Sequence, residues 1–374
     1  MKTISLSFNI WEEIKMKKLI SLLLVALLVF SMAACGTTQT PADGSNVASS
    51  ATSADSQAPA DTSSDEKYEL AVLVKALDSD YWQQLIVGAK NFEYENSDKV
   101  SVTVYGPTSE ADVAEQTEML DDIITKHPDG IAVVPTLVDN CNAGIESAMQ
   151  AGIPVVTMDN QPTTDAYITH YATDNYVAGQ QLAQRFVDEL NARSVELKGK
   201  VGLISAMAGV QTLVDREGGF RDKLAEIAPD IELMEPQYVD NDIPKSLSAA
   251  ETIYTGNKDD LLGFFASNNA TGDGVAQFLS ENQLGDQLVA VAFDADPAEV
   301  DSIRQGGIVA IAVQNPYKMG YTACQSLLEL LSGEKTYEDF DKKYDTGVAI
   351  IDSTNVDSED MAGIIDPFSL KLYE

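Results

Sequence analysis

Polar and charged side chains follow a series of short apolar segments, at the places where the segments end. Their side chains offer hydrogen-bond donors and acceptors of both charge signs. They are Lys75, Asp78, Ser79, Asp159, Asn160, Asn268, Asn269, Asp294, Gln314 and Asn315. Asp and Asn are also common helix N-caps, so one such residue alone would indicate little. Five segment ends with this chemistry favour a binding site.

The segments that must position these side chains are short, apolar and rich in β-branched residues. Examples are "ELAVLVKAL", "VSVTVYG", "GIAVVPT", "IPVVTMD", "KVGLISA", "IELMEPQ", "LLGFFAS", "LVAVAFD" and "IVAIAVQN". Between them lie stretches with helical periodicity, among them "YWQQLIVGAKNFEYE", "DVAEQTEMLDDIITK", "YVAGQQLAQRFVDEL", "FRDKLAEIA" and "MGYTACQSLLELL". This alternation predicts an α/β fold with parallel sheets covered by helices. The βα unit recurs too often for one compact sheet, so we expect two similar doubly wound lobes. Ligands of such sheets bind beyond the carboxyl ends of the strands.

The composition excludes several classes of function. The formal net charge of -35 argues against nucleic acid, which needs clustered Lys and Arg. No G-x-S-x-G elbow, Walker loop or His paired with Cys or Ser is present, so we predict no enzyme and no cofactor. His127 and His170 lie far apart in sequence, without zinc-like spacing. Cys141 and Cys324 are expected to pack as small apolar residues.

The amino-terminal region has the parts of an export signal. Lys17 and Lys18 precede an apolar run at 19–30, which is too short to span a bilayer comfortably. We expect translation to start at Met16, with residues 1–15 a misannotated leader and 16–34 the signal peptide. The ending "MAACG" resembles the lipobox of bacterial lipoproteins, which implies a lipid on Cys35. The alternative is an ordinary signal-peptidase cut nearby. Residues 35–67 then form a flexible linker, because their Ser, Thr, Ala and Pro have nothing to bury.

Seven ordered motifs give the region 68–356 a family resemblance: "LDSDYWQQLIVGA", "PVVTMDNQ", "YATDNYVAGQQLA", "VDREGGFRDKL", "FFASNNATGDGVAQ", "VAFDADP" and "VQNPYKMGYTA". The chain resembles periplasmic sugar-binding proteins of the ribose and galactose class, which share their two-lobed fold with the ligand domains of LacI-type repressors. Any one motif is weak, but all seven in order are specific.

The resemblance implies a set of ligand-binding residues. Tyr81 and Trp82 match the aromatic pair that covers the apolar faces of a sugar, although one of them could be a core residue of the first helical turn. Asp159 matches the carboxylate that accepts from hydroxyl groups, and Arg216 the fork that grips two oxygens. For Arg216 the alternative is a surface ion pair. The further hydroxyl-binding positions are Asn268, Asp294 and Gln314.

Some positions depart from the ribose pattern. Asn160 stands where ribose binders usually carry Arg, Lys75 replaces a small polar or aromatic residue, and Ser79 stands where Asn is usual. No clear second-lobe aromatic is present, and the nearest candidate is Asn241 in "VDNDIPK". We therefore expect a hexose, another pentose or a cyclic polyol rather than ribose, and Lys75 leaves a substituted or weakly acidic sugar open. No calcium loop is matched, so no metal is expected.

The resemblance also implies an organisation and a role. Lobe one is expected to combine residues 68–173 and 315–345, and lobe two residues 174–314 and 346–356, with a tail at 357–374. The implied function is the substrate-binding lipoprotein of an ABC-type sugar importer. It would be a monomer at the outer face of the bacterial cell membrane, delivering a monosaccharide or polyol to membrane permease subunits. The alternative is a binding protein that presents a sugar or autoinducer to a membrane histidine kinase or chemoreceptor.

Overall fold

The computed structural model describes residues 67–374. The predicted leader, signal peptide, lipidated Cys35 and all but the last residue of the linker lie outside the described residues. Within the described part of the chain, none of the helices combines the length and apolarity that crossing a membrane requires.

Lobe 1 is built on a six-stranded sheet of order β12-β5-β4-β3-β1-β2, in which every pairing is parallel. Its strands are β1 (Tyr68–Leu73), β2 (Val100–Tyr105), β3 (Gly130–Val133), β4 (Val155–Met158), β5 (His170–Ala172) and β12 (Lys343–Asp345). Its helices are α1 (Asp80–Glu95), α2 (Val113–Thr125), α3 (Asn142–Gln150) and α9 (Pro316–Leu331). β3 and β4 are buried along their whole length, as expected for strands with a helix layer on each face.

Lobe 2 repeats this plan with a seven-stranded sheet of order β13-β11-β10-β9-β6-β7, in which β8 also pairs with β6. Its strands are β6 (Gly199–Ser205), β7 (Ile231–Leu233), β8 (Gln237–Tyr238), β9 (Leu261–Ala266), β10 (Val289–Phe293), β11 (Ile308–Val313) and β13 (Ala349–Asp352). Only β13 pairs antiparallel, along β11. Its helices are α4 (Asn175–Ala192), α5 (Gln211–Ile227), α6 (Ile243–Gly256), α7 (Asn269–Asn282), α8 (Pro297–Arg304) and α10 (Glu359–Ile365).

The predicted α/β fold with two parallel-sheet lobes is confirmed. Each apolar segment quoted above contains a strand, and Cys141 and Cys324 are buried free thiols. Strands β5 and β12 lie outside those segments, and β8 begins at the last residue of "IELMEPQ". The chain passes between the sheets three times: from β5 to β6, from β11 to β12, and from β12 to β13.

Glycines bring two helices of each lobe into backbone contact. In lobe 1, a Cβ on Gly88 of α1 would lie 1.9 Å from the Tyr317 carbonyl oxygen of α9. In lobe 2, a Cβ on Gly219 of α5 would lie 2.0 Å from the Tyr176 carbonyl oxygen of α4. This contact corrects a prediction, because α5 starts at Gln211 rather than near residue 220. The glycine pair at 218–219 therefore lies inside the helix, where α4 approaches.

The tail after β13 contacts both lobes. Side chains of α10 pack on the lobe 2 core, and a 3-10 turn at Pro367–Leu370 follows. The fully buried amide of Asn91, on α1 of lobe 1, then donates to the Leu370 carbonyl oxygen at 2.7 Å and accepts from the Leu372 N–H at 2.9 Å. The tail therefore starts on one lobe and ends on the other.

Candidate functional site

The carboxyl ends of β1 and β4 place a buried ion pair in lobe 1. The Lys75 ammonium donates to Oδ2 of Asp159 at 2.7 Å, and the two side chains are 3% and 4% exposed. The Tyr81 hydroxyl donates to Oδ1 of the same carboxylate at 3.2 Å. Burial alone would raise the pKa of Asp159, but Lys75 lowers it below its ordinary value. Burial and the Asp159 charge raise the pKa of Tyr81, so its hydroxyl stays protonated.

The indole of Trp82 lies beside this pair and is held from three directions. Its ring meets that of Tyr81 edge to face, with centroids 4.6 Å apart and an interplanar angle of 88°. The Lys75 ammonium lies 5.1 Å from the ring centroid. The indole N–H donates to Oε1 of Glu110 at 2.6 Å. Both aromatic side chains are nearly buried in lobe 1, with an ordered ring geometry suited to packing on a flat apolar surface.

Arg216, on α5, forms the centre of the lobe 2 wall. Its Nε donates to the Asn175 side-chain oxygen at 2.8 Å and its Nη1 to the Ser267 carbonyl oxygen at 2.9 Å. The guanidinium lies 4.1 Å from the centroid of the Phe293 ring. The side chain is 3% exposed. The alternative of a surface ion pair for Arg216 is therefore wrong, because the arginine is buried and held by neutral groups and an aromatic face.

Three further predicted residues complete the lobe 2 wall. Gln314 donates from Nε2 to Oδ1 of Asp294 at 2.9 Å. Burial raises the pKa of Asp294, while the neighbouring Arg216 opposes that rise. Asn268 caps α7 through its side-chain oxygen, and its amide donates to Oδ1 of Asn241 at 2.6 Å. Asn268 is thus both a helix cap and a residue of the cavity wall, so the helix-cap interpretation and a place in the site are compatible.

These side chains surround a cavity between the lobes with about 390 Å³ of empty space. Besides eight predicted residues, the lining includes Glu110, Ala206, Met207, Val210, Thr212, Leu213 and Asn269. Charged groups, amides, aromatic rings and aliphatic carbons therefore all face one small space.

Direct contacts close the lobes over this cavity. The Asn269 amide donates to the Ser79 hydroxyl at 3.3 Å, and the Thr212 N–H donates to the Asn160 side-chain oxygen at 3.4 Å. Leu137 of lobe 1 packs on an apolar cluster of lobe 2. The structure is therefore the closed form of a two-lobed cleft.

Four carboxyl groups, called here the acidic seam, lie where α1 meets lobe 2: Asp80, Asp273, Asp296 and Glu299. Asn269 donates to Oδ2 of Asp296 at 2.9 Å. Burial, and secondarily Asp80, raises the pKa of Asp273 to about 6, whereas burial and Asp273 raise that of Asp296 to about 7. Burial also raises the pKa of Glu299. Each of these three carboxyls has one oxygen without a hydrogen-bond partner, so the seam has an affinity for protons near neutral pH.

Eight of the eleven predicted site residues line the cavity: Lys75, Tyr81, Trp82, Asp159, Arg216, Asn268, Asp294 and Gln314. Ser79, Asn160 and Asn241 do not line it, and each instead contacts a residue that does. Asn160 is fully buried, and its side-chain oxygen connects the lobes by accepting from the Thr212 N–H. An arginine at this position has no side-chain acceptor for this hydrogen bond.

The sequence reasoning missed Glu110, Asn269 as a wall residue, and Asn175. Glu110 lies in an irregular loop, two residues before the predicted helical stretch "DVAEQTEMLDDIITK". Asn175 opens α4 and reaches the site only through Arg216. Asn269 was visible as one of the polar strand ends, and adjacency to Asn268 was its available signal.

Within residues 67–374, no three His, Cys, Asp or Glu side chains are grouped as a metal site would need. Two similar α/β lobes that close on a polar and aromatic cavity define a class, the two-lobed ligand-binding proteins.

One protein family matches most of the chain. Residues 70–335 match the family described as "periplasmic binding protein domain", and the chain belongs to it. This is a family of extracytoplasmic binding proteins, so the prediction that the chain is not an enzyme is confirmed.

The chain is similar to several characterised relatives. It is 26% identical to the ribose import binding protein of Escherichia coli (strain K12) over 273 residues, which is 72% of this chain and 86% of that protein. It is also 26% identical to the D-allose-binding periplasmic protein of the same organism over 271 residues, 70% of this chain and 84% of that protein.

Solved structures show the same fold. A carbohydrate transporter solute-binding protein from Agrobacterium radiobacter, in complex with D-arabinose, superposes with a TM-score of 0.75 at 26% identity, covering 80% of this chain and 99% of that one. An ABC transporter solute-binding protein from Agrobacterium vitis with bound D-fucose gives a TM-score of 0.74 at 28% identity, covering 79% and 99%.

Proposed function

We propose that this chain is the substrate-binding lipoprotein of an ABC-type sugar importer, which captures a monosaccharide or similar polyol between its lobes. The observation that carries the proposal is the cavity wall. A flat indole faces a space lined by three acidic side chains, two basic ones and three amides. Sugars present C–H faces to aromatic rings and hydroxyls to such donors and acceptors. The relatives that bind ribose, D-allose, D-arabinose and D-fucose support the same ligand class.

The charges on the cavity wall favour a neutral ligand. Lys75 is paired with Asp159, and Arg216 lies beside Asp294, so each positive group of the wall has a negative neighbour. A phosphorylated sugar would add negative charge beside these carboxylates and Glu110 without an additional cation on the wall. A neutral polyol needs no such compensation.

In this proposal, residues 68–173 and 315–345 move as one lobe, and residues 174–314 and 346–356 as the other. A ligand that contacts both walls binds the closed form better than the open form, and this difference in affinity shifts the hinge equilibrium towards closure. The closed lobes are then the shape that membrane permease subunits recognise.

Thermal melting of the full chain in detergent, followed by intrinsic fluorescence, tests the ligand class. The panel contains D-ribose, D-allose, D-arabinose, D-fucose, inositols and sugar acids. A sugar at 100 times its Kd stabilises the native state by about 2.7 kcal/mol and raises the melting temperature. Arg216→Ala should abolish the shift. Arg221→Ala, which lies on the same helix outside the cavity lining, should retain it.

The outcomes separate the parts of the proposal. Melting temperatures that no sugar changes would refute the ligand class. A sugar that binds the purified chain but enters cells lacking it at the normal rate would refute the importer role and favour sensing.

Lipidation is tested separately, because Cys35 lies outside the described residues. The lipobox-like "MAACG" supports it. Cells fed a labelled fatty acid should label the wild-type chain but not a Cys35→Ala variant, and only the wild type should remain with the membrane fraction. Equal labelling and membrane retention of the two chains would refute the lipid anchor.

A further inference from the structure

Glu110 occupies a place in the cavity wall that no sequence motif assigns. It lies in the loop between β2 and α2, and its Oε1 accepts the indole N–H of Trp82 at 2.6 Å. The residue also lines the interlobe cavity. A hydrogen bond to an ionised acceptor is shorter and stronger than one between neutral groups. Glu110 is therefore placed to influence the ligand site through the ring that it holds.

The rotation of the Trp82 ring decides what the cavity can accept. Tyr81 meets the ring edge to face and limits it on one side, and the Lys75 ammonium lies 5.1 Å from its centroid. These contacts and the apolar core of lobe 1 hold the nonpolar part of the ring. The N–H bond to Glu110 is the polar, directional contact that acts on the angle of the indole about its bond to Cβ.

We propose that Glu110 is a positioning residue for ligand selectivity, which fixes the Trp82 ring so that it accepts only one stereochemical face of the sugar. The proposal rests on the proposed function, since it assumes that a sugar occupies this cavity. A ring held in one orientation packs on a C–H face and excludes an axial hydroxyl directed at it. A ring free to turn makes room for either epimer, so losing the bond should cost selectivity more than it costs affinity for the best ligand.

The surroundings of the carboxyl make the bond sensitive to its charge. Burial raises the pKa of Glu110, whereas Lys75 and the Trp82 N–H oppose that rise. The nearby carboxylates of Asp159 and Asp78 also disfavour ionisation. Protonation replaces an anionic acceptor by a neutral one, so the Trp82 emission should change as Glu110 titrates. A glutamine keeps an acceptor oxygen but has no proton to lose.

The first arm of the experiment needs no ligand. Trp82 and Trp11 are the two tryptophans of the sequence, so a full-length chain with Trp11→Phe reports on Trp82 alone. We expect its emission to change between pH 4 and 8, this change to be absent in Glu110→Gln, and iodide or acrylamide to quench Glu110→Ala more strongly. Glu115→Ala, an exposed position on α2, is the matched control. If the emission of Glu110→Gln depended on pH in the same way as that of its Trp11→Phe parent, the hydrogen bond between Glu110 and Trp82 would be refuted.

The second arm measures Kd for the best sugar and for its epimers by titration calorimetry. In Glu110→Ala the ratio of the two Kd values should fall about tenfold, while Glu110→Gln and Glu115→Ala keep most of the wild-type ratio. An unchanged ratio in Glu110→Ala, with normal binding, would overturn the proposal. If no sugar binds the wild type, the proposed function fails and this inference falls with it. The ligand-free emission data then show whether the contact itself was correct, so the two failures are distinguishable.

Discussion

Replacing Lys75 by methionine would leave the Asp159 carboxylate buried without its counter-charge. The two groups are 2.7 Å apart and at most 4% exposed, so solvent screens neither of them. Removing one partner of such a pair destabilises a protein by about 3–5 kcal/mol, because the remaining charge is uncompensated. The Tyr81 hydroxyl still donates to Asp159, which reduces the destabilisation. We therefore expect Lys75→Met to lower the free energy of unfolding of lobe 1 by at least about 3 kcal/mol at pH 7.

The direction in which stability changes with pH follows from the shifted pKa of Asp159. In the wild type Lys75 holds the pKa of this carboxyl below its ordinary value, so the pair stabilises the fold above that value. This stabilisation disappears as the pH falls through the lowered pKa. In Lys75→Met burial acts without the ammonium and raises the pKa of Asp159. The variant should therefore be weakest at high pH and approach the wild type as the pH falls and the carboxyl takes up a proton.

Urea denaturation, followed by Trp82 emission in the Trp11→Phe background, measures these changes. Lys335→Met is the matched control. Its ammonium lies 2.8 Å from Glu329 and 5.1 Å from an aromatic centroid, like that of Lys75, but the lysine is 40% exposed. It should cost about 1 kcal/mol or less. Adding Asp159→Asn to Lys75→Met should recover most of the loss. The reasoning would be refuted if the unfolding free energy of Lys75→Met at pH 7 lay within about 1 kcal/mol of the wild-type value and its slope against urea concentration were unchanged.

Two further predictions concern closure and packing. Because closure brings Asp80 against the buried carboxyls of Asp273 and Asp296, whose pKa values are about 6 and 7, the closed form takes up protons. Ligand affinity should therefore rise as the pH falls from 8 to 5.5, by at most about tenfold per pH unit for each proton. Asp80→Asn should flatten this dependence in calorimetric titrations, and an equally steep profile would contradict it. Gly88→Ala places a methyl group 1.9 Å from a carbonyl oxygen of α9 and should cost about 1–3 kcal/mol in thermal unfolding. Gly256→Ala, whose new methyl group meets nothing within 4 Å, should cost far less, and equal melting temperatures would refute the packing argument.

The fold was predictable because its signals are local and repeated. Buried parallel strands are continuous apolar runs, and the helices between them are amphipathic, so sequence alone identified both lobes. The exceptions are elements that tertiary contacts create. The strands β5, β8 and β12 contain only two or three residues, and the predicted helical stretch of α5 began at Phe220, after a glycine that the close approach of α4 requires at Gly219.

The site was predictable where a side chain follows a strand directly. Asp159, Asp294 and Gln314 each occupy the first position after a strand, where the sheet geometry fixes the direction of the backbone. Glu110 could not be predicted in this way, because it lies in a loop without periodicity rather than directly after a strand. For Asn160 the position after a strand did not determine where the side chain points. Its position in the chain is right, but its side chain turns to the Thr136 carbonyl oxygen and the opposing lobe.

The carboxyl-terminal tail adds a fourth span between two bodies that the three crossings already connect. Its anchor, Asn91, also donates a hydrogen bond to the Tyr317 hydroxyl, and Tyr317 lies three residues beyond Gln314 of the lobe 2 wall. Any rotation that separates the lobes must carry this span along or release it. We therefore expect the attachment of this span to contribute to the free-energy difference between the open and closed forms. Because apparent affinity scales with the fraction of closed molecules, residues that never touch the ligand help to set how tightly it is held.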